Sequence, residues 1–133
     1  MRYGYVGLGN LGGHLAASLL RENFAVTVND IDPALAERHL ALGATWVGDV
    51  ADLARDCDAV ITCLPSPAVC EKVLGQLLEG LRPGGTWIEM STLGREDILR
   101  LAELAAAKGV RTLEAPVTGG VHLAGQGKIT VLA

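Results

Sequence analysis

Short apolar runs alternate along the chain with longer stretches in which apolar residues recur every three or four positions. The runs predict strands, and they fall at residues 3–6, 24–28, 44–47, 58–64, 86–90 and 110–113. The three- and four-residue recurrence of apolar residues in the stretches between the runs predicts helices. Leu11, Leu15 and Leu19 form the first apolar stripe. The run at 58–64 suits a strand that is covered on both faces. This alternation predicts an α/β fold, a doubly wound and mostly parallel sheet with helices on both faces.

Capping and helix-breaking residues set the predicted ends of the later helices. The predicted N-caps are Asp32, Asp49 and Ser66, with Ser91 and Thr92 together capping the last helix. The helices themselves are predicted at residues 34–42, 49–55, 67–80 and 96–108. In the last of them the predicted apolar stripe is Ile98, Leu101, Leu104 and Ala105. Residues 114–127 have no period and are predicted to form a glycine-rich loop, and residues 128–132 a final strand.

A glycine motif separates the first predicted strand from the first helix. Gly7, Gly9 and Gly12 have G-x-G-x-x-G spacing, and Asp30 ends the second strand. Such glycines allow a tight turn, a close approach to a pyrophosphate and close helix–strand packing, and an acid about 20 residues further on binds the adenosine ribose. The motif therefore predicts a Rossmann-type dinucleotide site. The alternative is a glycine turn in an α/β domain that binds no nucleotide.

Composition limits the class of protein and its partners. Half of the 133 residues are hydrophobic and only 4% are aromatic, which suits one domain with an aliphatic core. The net charge is −4 and there is no run of basic residues, so the sequence does not predict a basic surface for binding nucleic acid or an anionic membrane. No apolar stretch approaches the ~18 residues of a membrane span, and no signal-peptide pattern is present. Cys57, Cys63 and Cys70 lack C-x-x-C spacing and are predicted to be reduced thiols of a cytoplasmic protein.

The three histidines are scattered and have no ligand spacing, so no metal site is expected. His14 is predicted to be half-exposed on the first helix, and His39 to lie on a helix surface. His122 directly follows the residues at 118–120. It is predicted to be a loop residue that a following domain would cover, and contact with a substrate is the less favoured alternative. No Ser/His/Asp set is indicated, so any chemistry here would belong to a bound cofactor that the protein positions.

Motifs in order along the chain resemble the β-hydroxyacid dehydrogenase family, which includes 3-hydroxyisobutyrate dehydrogenase and tartronate semialdehyde reductase. They are G-L-G-N-L-G at 7–12, C-L-P at 63–65, M-S-T at 90–92, E-A-P-V-T-G-G at 114–120 and K-I-T-V-L-A at 128–133. The resemblance covers the whole chain and matches the N-terminal NAD-binding domain of that family. It implies a nicotinamide cofactor and a small hydroxy-acid substrate. Apolar surface around residues 117–123 and on the last strand, which a following domain would cover, is expected to favour a homo-oligomer.

The resemblance also implies roles for particular positions. The cofactor-binding positions would be Gly7, Leu8, Gly9, Asn10, Leu11, Gly12, Asn29, Asp30, Ile31, Leu64, Pro65 and Thr92. The substrate loop would be Thr118, Gly119 and Gly120, whose hydroxyl and amides would hold a carboxylate or hydroxyl. Asp30 stands where NADP-dependent members carry Arg, which favours NAD over NADP. Val69 departs from the Asn of many members.

The catalytic Lys of the family lies in a G-x-x-x-K-x-x-N stretch on a helix after this domain, and no position through Ala133 matches it. Lys72, Lys108 and Lys128 lack that context. Residues 1–133 are therefore expected to be the cofactor-binding domain of a two-domain enzyme, inactive alone, without its helical catalytic domain. The expected reaction is hydride transfer between NAD and a small 3-hydroxy acid. Two alternatives remain, an imine reductase on the same scaffold and a non-catalytic nucleotide-binding module.

Overall fold

The computed structural model describes residues 1–132 and alternates strands with helices. The strands of the main sheet are β1 (Arg2–Val6), β2 (Ala25–Asn29), β3 (Thr45–Trp46), β4 (Ala59–Thr62), β5 (Thr86–Glu89) and β6 (Arg111–Glu114). The helices are α1 (Asn10–Arg21), α2 (Glu37–Ala41), α3 (Val50–Arg55), α4 (Pro67–Gly80), α5 (Arg95–Ala107) and α6 (Gly120–Gly125). Two short strands, β7 (Val117–Thr118) and β8 (Thr130–Val131), flank α6.

The six strands of the main sheet are all parallel and run in the order β3-β2-β1-β4-β5-β6. The chain moves outward from β1 to β3, then crosses back to β4 on the other side of β1. The strand order reverses between β1 and β4, and a crevice opens there at the carboxyl ends of the strands. The prediction of a doubly wound parallel sheet is therefore confirmed.

Two apolar clusters lie on opposite faces of this sheet because successive strand side chains point to opposite sides. On one face, Val60 and Trp87 pack with residues of α3, α4 and α5, such as Leu77. On the other face, Tyr5 and Ile61 pack with residues of α1. Helices thus cover both faces, as the apolar run of the fourth strand predicts.

Three of the predicted helix caps are confirmed. The side chains of Asp32, Asp49 and Ser66 accept hydrogen bonds from backbone amides two or three residues on, at 3.1, 2.9 and 3.3 Å. The prediction that Ser91 and Thr92 cap the next helix is wrong, because α5 begins after Gly94 and has no side-chain cap. The Ser91 hydroxyl instead accepts from the amide of Leu64.

The segment after β6 differs most from its prediction as a loop. Gly119 and Gly120 have φ angles of 118° and 76°, a left-handed conformation that favours glycine and turns the chain into α6. Ala124 of α6 is fully buried in the cluster that includes α1. The predicted last strand exists as β8, but it pairs antiparallel with β7 in a separate two-stranded sheet.

Smaller corrections concern the helices. The predicted helix at 34–42 begins as a 3-10 turn, Pro33–Ala36, before α2. Leu104 is 45% exposed, so its place in the apolar stripe of α5 is wrong, although Ile98, Leu101 and Ala105 are buried.

The prediction that His39 lies on a helix surface is wrong. Its ring is fully buried, with Nε2 2.8 Å from the carbonyl oxygen of Gly13 and Nδ1 3.1 Å from that of Leu35. The polar ring therefore joins α2 to the start of α1. His14 is half-exposed, as predicted, and His122 is exposed on α6.

Cys57, Cys63 and Cys70 are free thiols, as predicted, with Cys57 and Cys70 buried and Cys63 half-buried. Cys63 follows the last residue of β4 rather than lying inside the strand. Over residues 1–132, no helix has the length and apolar character needed to cross a bilayer. Within that same range, no group of three or more His, Cys, Asp or Glu side chains is arranged to hold a metal ion.

Candidate cofactor site

A crevice of about 730 Å³ opens at the carboxyl ends of β1, β2, β4 and β5. The loops after these strands line it, at the point where the strand order reverses. The lining includes all but one of the predicted cofactor positions, namely Gly7, Gly9, Asn10, Leu11, Gly12, Asn29, Asp30, Ile31, Leu64, Pro65 and Thr92. The exception is Leu8, whose side chain is buried in the core.

The three glycines of the motif meet three different surroundings. A Cβ on Gly7, where φ is 105°, would lie 2.1 Å from the carbonyl oxygen of Cys63. A Cβ on Gly12 would lie 2.1 Å from the carbonyl oxygen of Gly7, so these two positions have no room for a side chain. A Cβ on Gly9 would have no protein atom within 4 Å. Gly9 thus faces open space in the crevice, where a ligand can approach the backbone.

The amino end of α1 points into this crevice. Its N-cap is Gly9, no side chain caps the first turn, and the first helical hydrogen bond runs from the Gly13 amide to the Gly9 carbonyl at 2.7 Å. Free amides and the positive end of the helix dipole make such a helix start suitable for a phosphate group.

The carboxylate of Asp30 connects the second strand to the glycine turn. One oxygen accepts from the Leu8 amide at 2.7 Å and the other from the Asp32 amide at 2.9 Å. The side-chain amide of neighbouring Asn29 donates to the carbonyl of Val47 at 2.8 Å. These bonds hold Asp30 beside the glycine turn and leave lone pairs that can accept from a ribose hydroxyl.

The far end of the crevice lies between the loops after β4 and β5. The Leu64 amide donates to the Ser91 hydroxyl at 2.7 Å, and both residues line the crevice with Cys63. Burial raises the pKa of the Cys63 thiol to about 11, and the charge of Glu89 adds to the rise. Cys63 is therefore a neutral thiol at physiological pH.

Ten further residues line the crevice and are not among the predicted cofactor-binding positions. They are Val6, Leu35, Val50, Cys63, Val69, Lys72, Val73, Gln76, Met90 and Ser91. Four of them lie on α4 at helical spacing. That spacing was a usable signal, because a helix that directly follows a strand starts at the ligand edge of the sheet. Lys72 is exposed, and it also lines the crevice.

The predicted substrate loop lies outside this crevice. Thr118, Gly119 and Gly120 are exposed and are not among the residues that line it. The structure therefore brings all the predicted cofactor positions except Leu8 to one crevice and leaves the predicted substrate loop exposed outside it.

The crevice fits a dinucleotide. The open space at Gly9, the uncapped start of α1 and the carboxylate of Asp30 match the pyrophosphate and ribose positions of a Rossmann-type site. The fold and crevice define the class as an NAD(P)-binding domain. Residues 2–133 match the family described as the NAD binding domain of 6-phosphogluconate dehydrogenase, and the chain belongs to that family.

Two groups of curated relatives are similar over almost the whole chain. Cytokine-like nuclear factor N-PAC of Xenopus tropicalis is 33% identical over 99% of this chain and 25% of its own length. The mitochondrial 3-hydroxyisobutyrate dehydrogenase of Drosophila melanogaster is 33% identical over 97% of this chain and 40% of its own length. The chain thus spans between a quarter and two-fifths of these relatives.

Solved structures give the same picture. A 3-hydroxyisobutyrate dehydrogenase of Mycobacterium tuberculosis with L-serine superimposes with a TM-score of 0.93 at 29% identity, over 98% of this chain and 45% of that one. An imine reductase from Pseudomonas sp. superimposes with a TM-score of 0.84 at 26% identity, over 92% of this chain and 43% of that one. The two structures share the fold of this chain, while their names give different activities.

Proposed function

We propose that this chain is the cofactor-binding domain of a dehydrogenase that transfers a hydride between NAD and a small 3-hydroxy acid. The observation that carries the proposal is the uncapped start of α1 facing the same crevice as Asp30. When bound, the nicotinamide supplies the hydride chemistry. The residues of this chain bind and orient it.

Each part of the crevice has a proposed task. The backbone from Gly7 to Gly12 holds the pyrophosphate, and Asp30, flanked by Asn29 and the fully exposed Ile31, binds the adenosine ribose. Leu64, Pro65 and Thr92 contact the nicotinamide half, because they follow β4 and β5 on the other side of the strand reversal.

Asp30 is proposed to select NAD over NADP. Its carboxylate would accept from a free 2′-hydroxyl and repel a 2′-phosphate. We expect the chain to bind NADH more tightly than NADPH. Asp30→Asn should lower the ratio of the Kd for NADPH to the Kd for NADH by about tenfold, since a hydrogen bond to a charged group is worth about 1.5–3 kcal/mol. Calorimetric titration with both cofactors measures this ratio.

The control for that experiment is Asp32→Asn, which changes an exposed acid two residues away that caps the following turn. The ratio should stay unchanged in this variant. Tighter binding of NADPH than NADH by the unaltered chain would contradict the proposed selection.

The substrate part of the proposal rests on the loop at Thr118, Gly119 and Gly120. Its exposed hydroxyl and backbone suit an anionic group on a substrate. The general acid/base lysine is proposed to come from a second, helical domain, because the dehydrogenase relatives continue well beyond the matched part. We therefore expect the 133 residues alone to bind NADH without measurable turnover.

Two other functions are favoured by particular relatives. The likeness to an imine reductase favours reduction of a cyclic imine, and the likeness to a protein named as a nuclear factor favours a non-catalytic module. A panel of 3-hydroxy acids and cyclic imines, assayed with the protein encoded by the complete reading frame, separates the three. Turnover of hydroxy acids supports the proposal, turnover of imines alone contradicts it, and cofactor binding without turnover favours the module.

Self-association is a further part of the proposal. Val121 on α6, Val131 on β8 and Leu132 are 44–54% exposed, at the apolar end predicted to favour a homo-oligomer. Sedimentation velocity should show a dimer or larger species, and a monomer at high concentration would contradict this part.

A further inference from the structure

Glu89 is a fully buried carboxylate at the end of β5. Among the ion pairs formed by residues 1–132, none includes this side chain. A buried carboxylate without a cationic partner is costly unless its oxygens accept hydrogen bonds. The bonds that Glu89 makes therefore show what the side chain does.

The two oxygens of Glu89 have different partners. Oε2 accepts from the hydroxyl of Thr62 at 3.0 Å, and that hydroxyl accepts from the indole nitrogen of Trp87 at 2.9 Å. Oε1 accepts from the backbone amide of Ser91 at 2.6 Å. One oxygen thus links the ends of β4 and β5, and the other fixes the first turn of the loop after β5.

Ser91 carries this link to the loop after β4. Its hydroxyl accepts from the Leu64 amide at 2.7 Å and lies 3.5 Å from the thiol of Cys70. Glu89 therefore holds Ser91, and Ser91 holds Leu64, across two loops that are far apart in sequence. Ser91, Leu64 and the adjacent Thr92 all line the crevice, whereas Glu89 does not.

These loops lie at the nicotinamide end of the proposed site. The glycine turn and Asp30 follow β1 and β2 and take the adenosine half, so the other mononucleotide lies over β4 and β5. From this we infer that Glu89 is a positioning residue that holds the Leu64 and Ser91–Thr92 loops in place for the nicotinamide half of the cofactor. The inference rests on the proposed function.

Chemistry explains why a carboxylate suits this position. It accepts from a backbone amide and from a hydroxyl at once, through two separate oxygens. A leucine would be buried at lower cost but would leave the Ser91 amide and the Thr62 hydroxyl without acceptors. A glutamine keeps one acceptor oxygen for the Ser91 amide and offers its NH₂ group to the Thr62 hydroxyl.

The test compares NADH with ADP-ribose, which lacks the nicotinamide, by calorimetric titration of four forms of the chain. They are the unaltered chain, Glu89→Leu, Glu89→Gln and Ser91→Ala. We expect Glu89→Leu to weaken NADH binding by about tenfold, the order of one lost hydrogen-bonded contact, and ADP-ribose binding by less than about twofold. Glu89→Gln should retain most of the NADH affinity.

Glu114→Leu is the matched control, because Glu114 is opposite Glu89 on β6 but is exposed. It should leave both affinities unchanged. If Glu89→Leu does not fold, Ser91→Ala takes its place. It keeps the hydrogen bond from the Ser91 amide to Glu89 and removes the hydroxyl that accepts from the Leu64 amide and the Cys70 thiol. Ser91→Ala should then weaken NADH selectively.

Several outcomes would overturn the inference. One is that Glu89→Leu or Ser91→Ala weakens NADH and ADP-ribose binding equally, or leaves NADH binding unchanged. Another is that Glu89→Gln loses as much NADH affinity as Glu89→Leu. A third is that the unaltered chain binds NADH and ADP-ribose with equal affinity. If the unaltered chain bound neither ligand, the proposed function itself would fail. The two failures are therefore distinguishable.

Discussion

Each glycine of the first turn is needed for its own physical reason. Gly7 has a left-handed φ and touches the backbone of Cys63, while Gly12 touches the backbone of Gly7. Gly9 touches nothing within 4 Å and has an ordinary extended conformation. Folding therefore requires glycine at the first and third positions, and only the proposed ligand requires it at the second.

This difference predicts that Gly9→Ala folds normally but binds NADH poorly. The added methyl would occupy the space of the pyrophosphate without meeting the protein, so we expect at least about tenfold weaker binding, or roughly 1.4 kcal/mol. Thermal unfolding should change by no more than a few degrees. Calorimetry and differential scanning fluorimetry measure the two effects.

The matched control is Gly75→Ala on the exposed side of α4, where a Cβ also has open space. It should keep NADH affinity and gain slight stability from helix propensity. Undiminished NADH binding by Gly9→Ala would show that no phosphate approaches that backbone.

The thiol of Cys57 predicts a pH dependence of stability. Burial, with help from Asp56 and Asp58, raises its pKa from 9.0 to about 11. Below pH 9 the thiol is protonated in both the folded and unfolded states, so its contribution is constant. Between pH 9 and 11 the unfolded chain loses the proton first, and the contribution to folding is lost as pH rises.

The measurement compares the unaltered chain with Cys57→Ala by urea unfolding at a series of pH values. The amount by which the unaltered chain exceeds Cys57→Ala in unfolding free energy should decrease between pH 9 and 11. For Val110→Ala, a buried change without a titrating group, the difference should stay constant with pH. A Cys57→Ala difference that remained equally constant would contradict the raised pKa.

At the scale of elements, the sequence predicts structure best where apolar periodicity and caps agree. α4 runs from Pro67 to Gly80 as predicted, because Ser66 caps its start and its buried face repeats at helical spacing. The helix α6 was not predicted, because four glycines at positions 119–127 disfavour a helix and hide its period. Its formation depends on tertiary packing of Ala124 in the α1 cluster, which no local pattern reveals.

His39 shows the same limit in a single contact between elements. Its partners, the carbonyls of Gly13 and Leu35, lie on α1 and in the 3-10 turn. We expect His39→Ala to lower the free energy of unfolding by about 2–4 kcal/mol, because it leaves a cavity and removes a buried hydrogen bond. Urea unfolding measures the loss.

Exposed His122 provides the comparison, and His122→Ala should change stability by less than about 0.5 kcal/mol. His39→Gln should recover part of the loss, since its amide nitrogen can donate to the Gly13 carbonyl. Equal effects of the two alanine changes would mean that the bridge between α2 and α1 contributes nothing.

For the whole molecule, the doubly wound parallel sheet and the location of the crevice could be predicted from the sequence. Repeated strand–helix alternation leaves few topologies, and parallel strands bring their carboxyl ends to one edge. The glycines of the first turn, Asp30 and the predicted cofactor positions after β4 and β5 accordingly meet in one crevice, whereas the predicted substrate loop does not line it. The Glu89–Ser91–Leu64 link could not be predicted, because side chains 25 to 27 residues apart meet only after β4 and β5 pair.

The proposed substrate loop lies apart from the lining of the crevice. Thr118, Gly119 and Gly120 are exposed and are not among the residues that line the cofactor crevice. One hydroxyl and adjacent backbone amides suit an anionic group but do not by themselves distinguish one small hydroxy acid from another.

The central claim is that the start of α1 and Asp30 together hold a dinucleotide. Amide spectra of the isotope-labelled chain, recorded during titration with NADH, test it most directly. We predict saturable shifts at Gly9, Asn10 and Leu11, at Asp30 and Ile31, and at Leu64 and Thr92, with α6 unaffected. Saturating NADH that leaves the amides of the glycine turn and Asp30 unchanged, or that shifts only distant residues, would contradict the account.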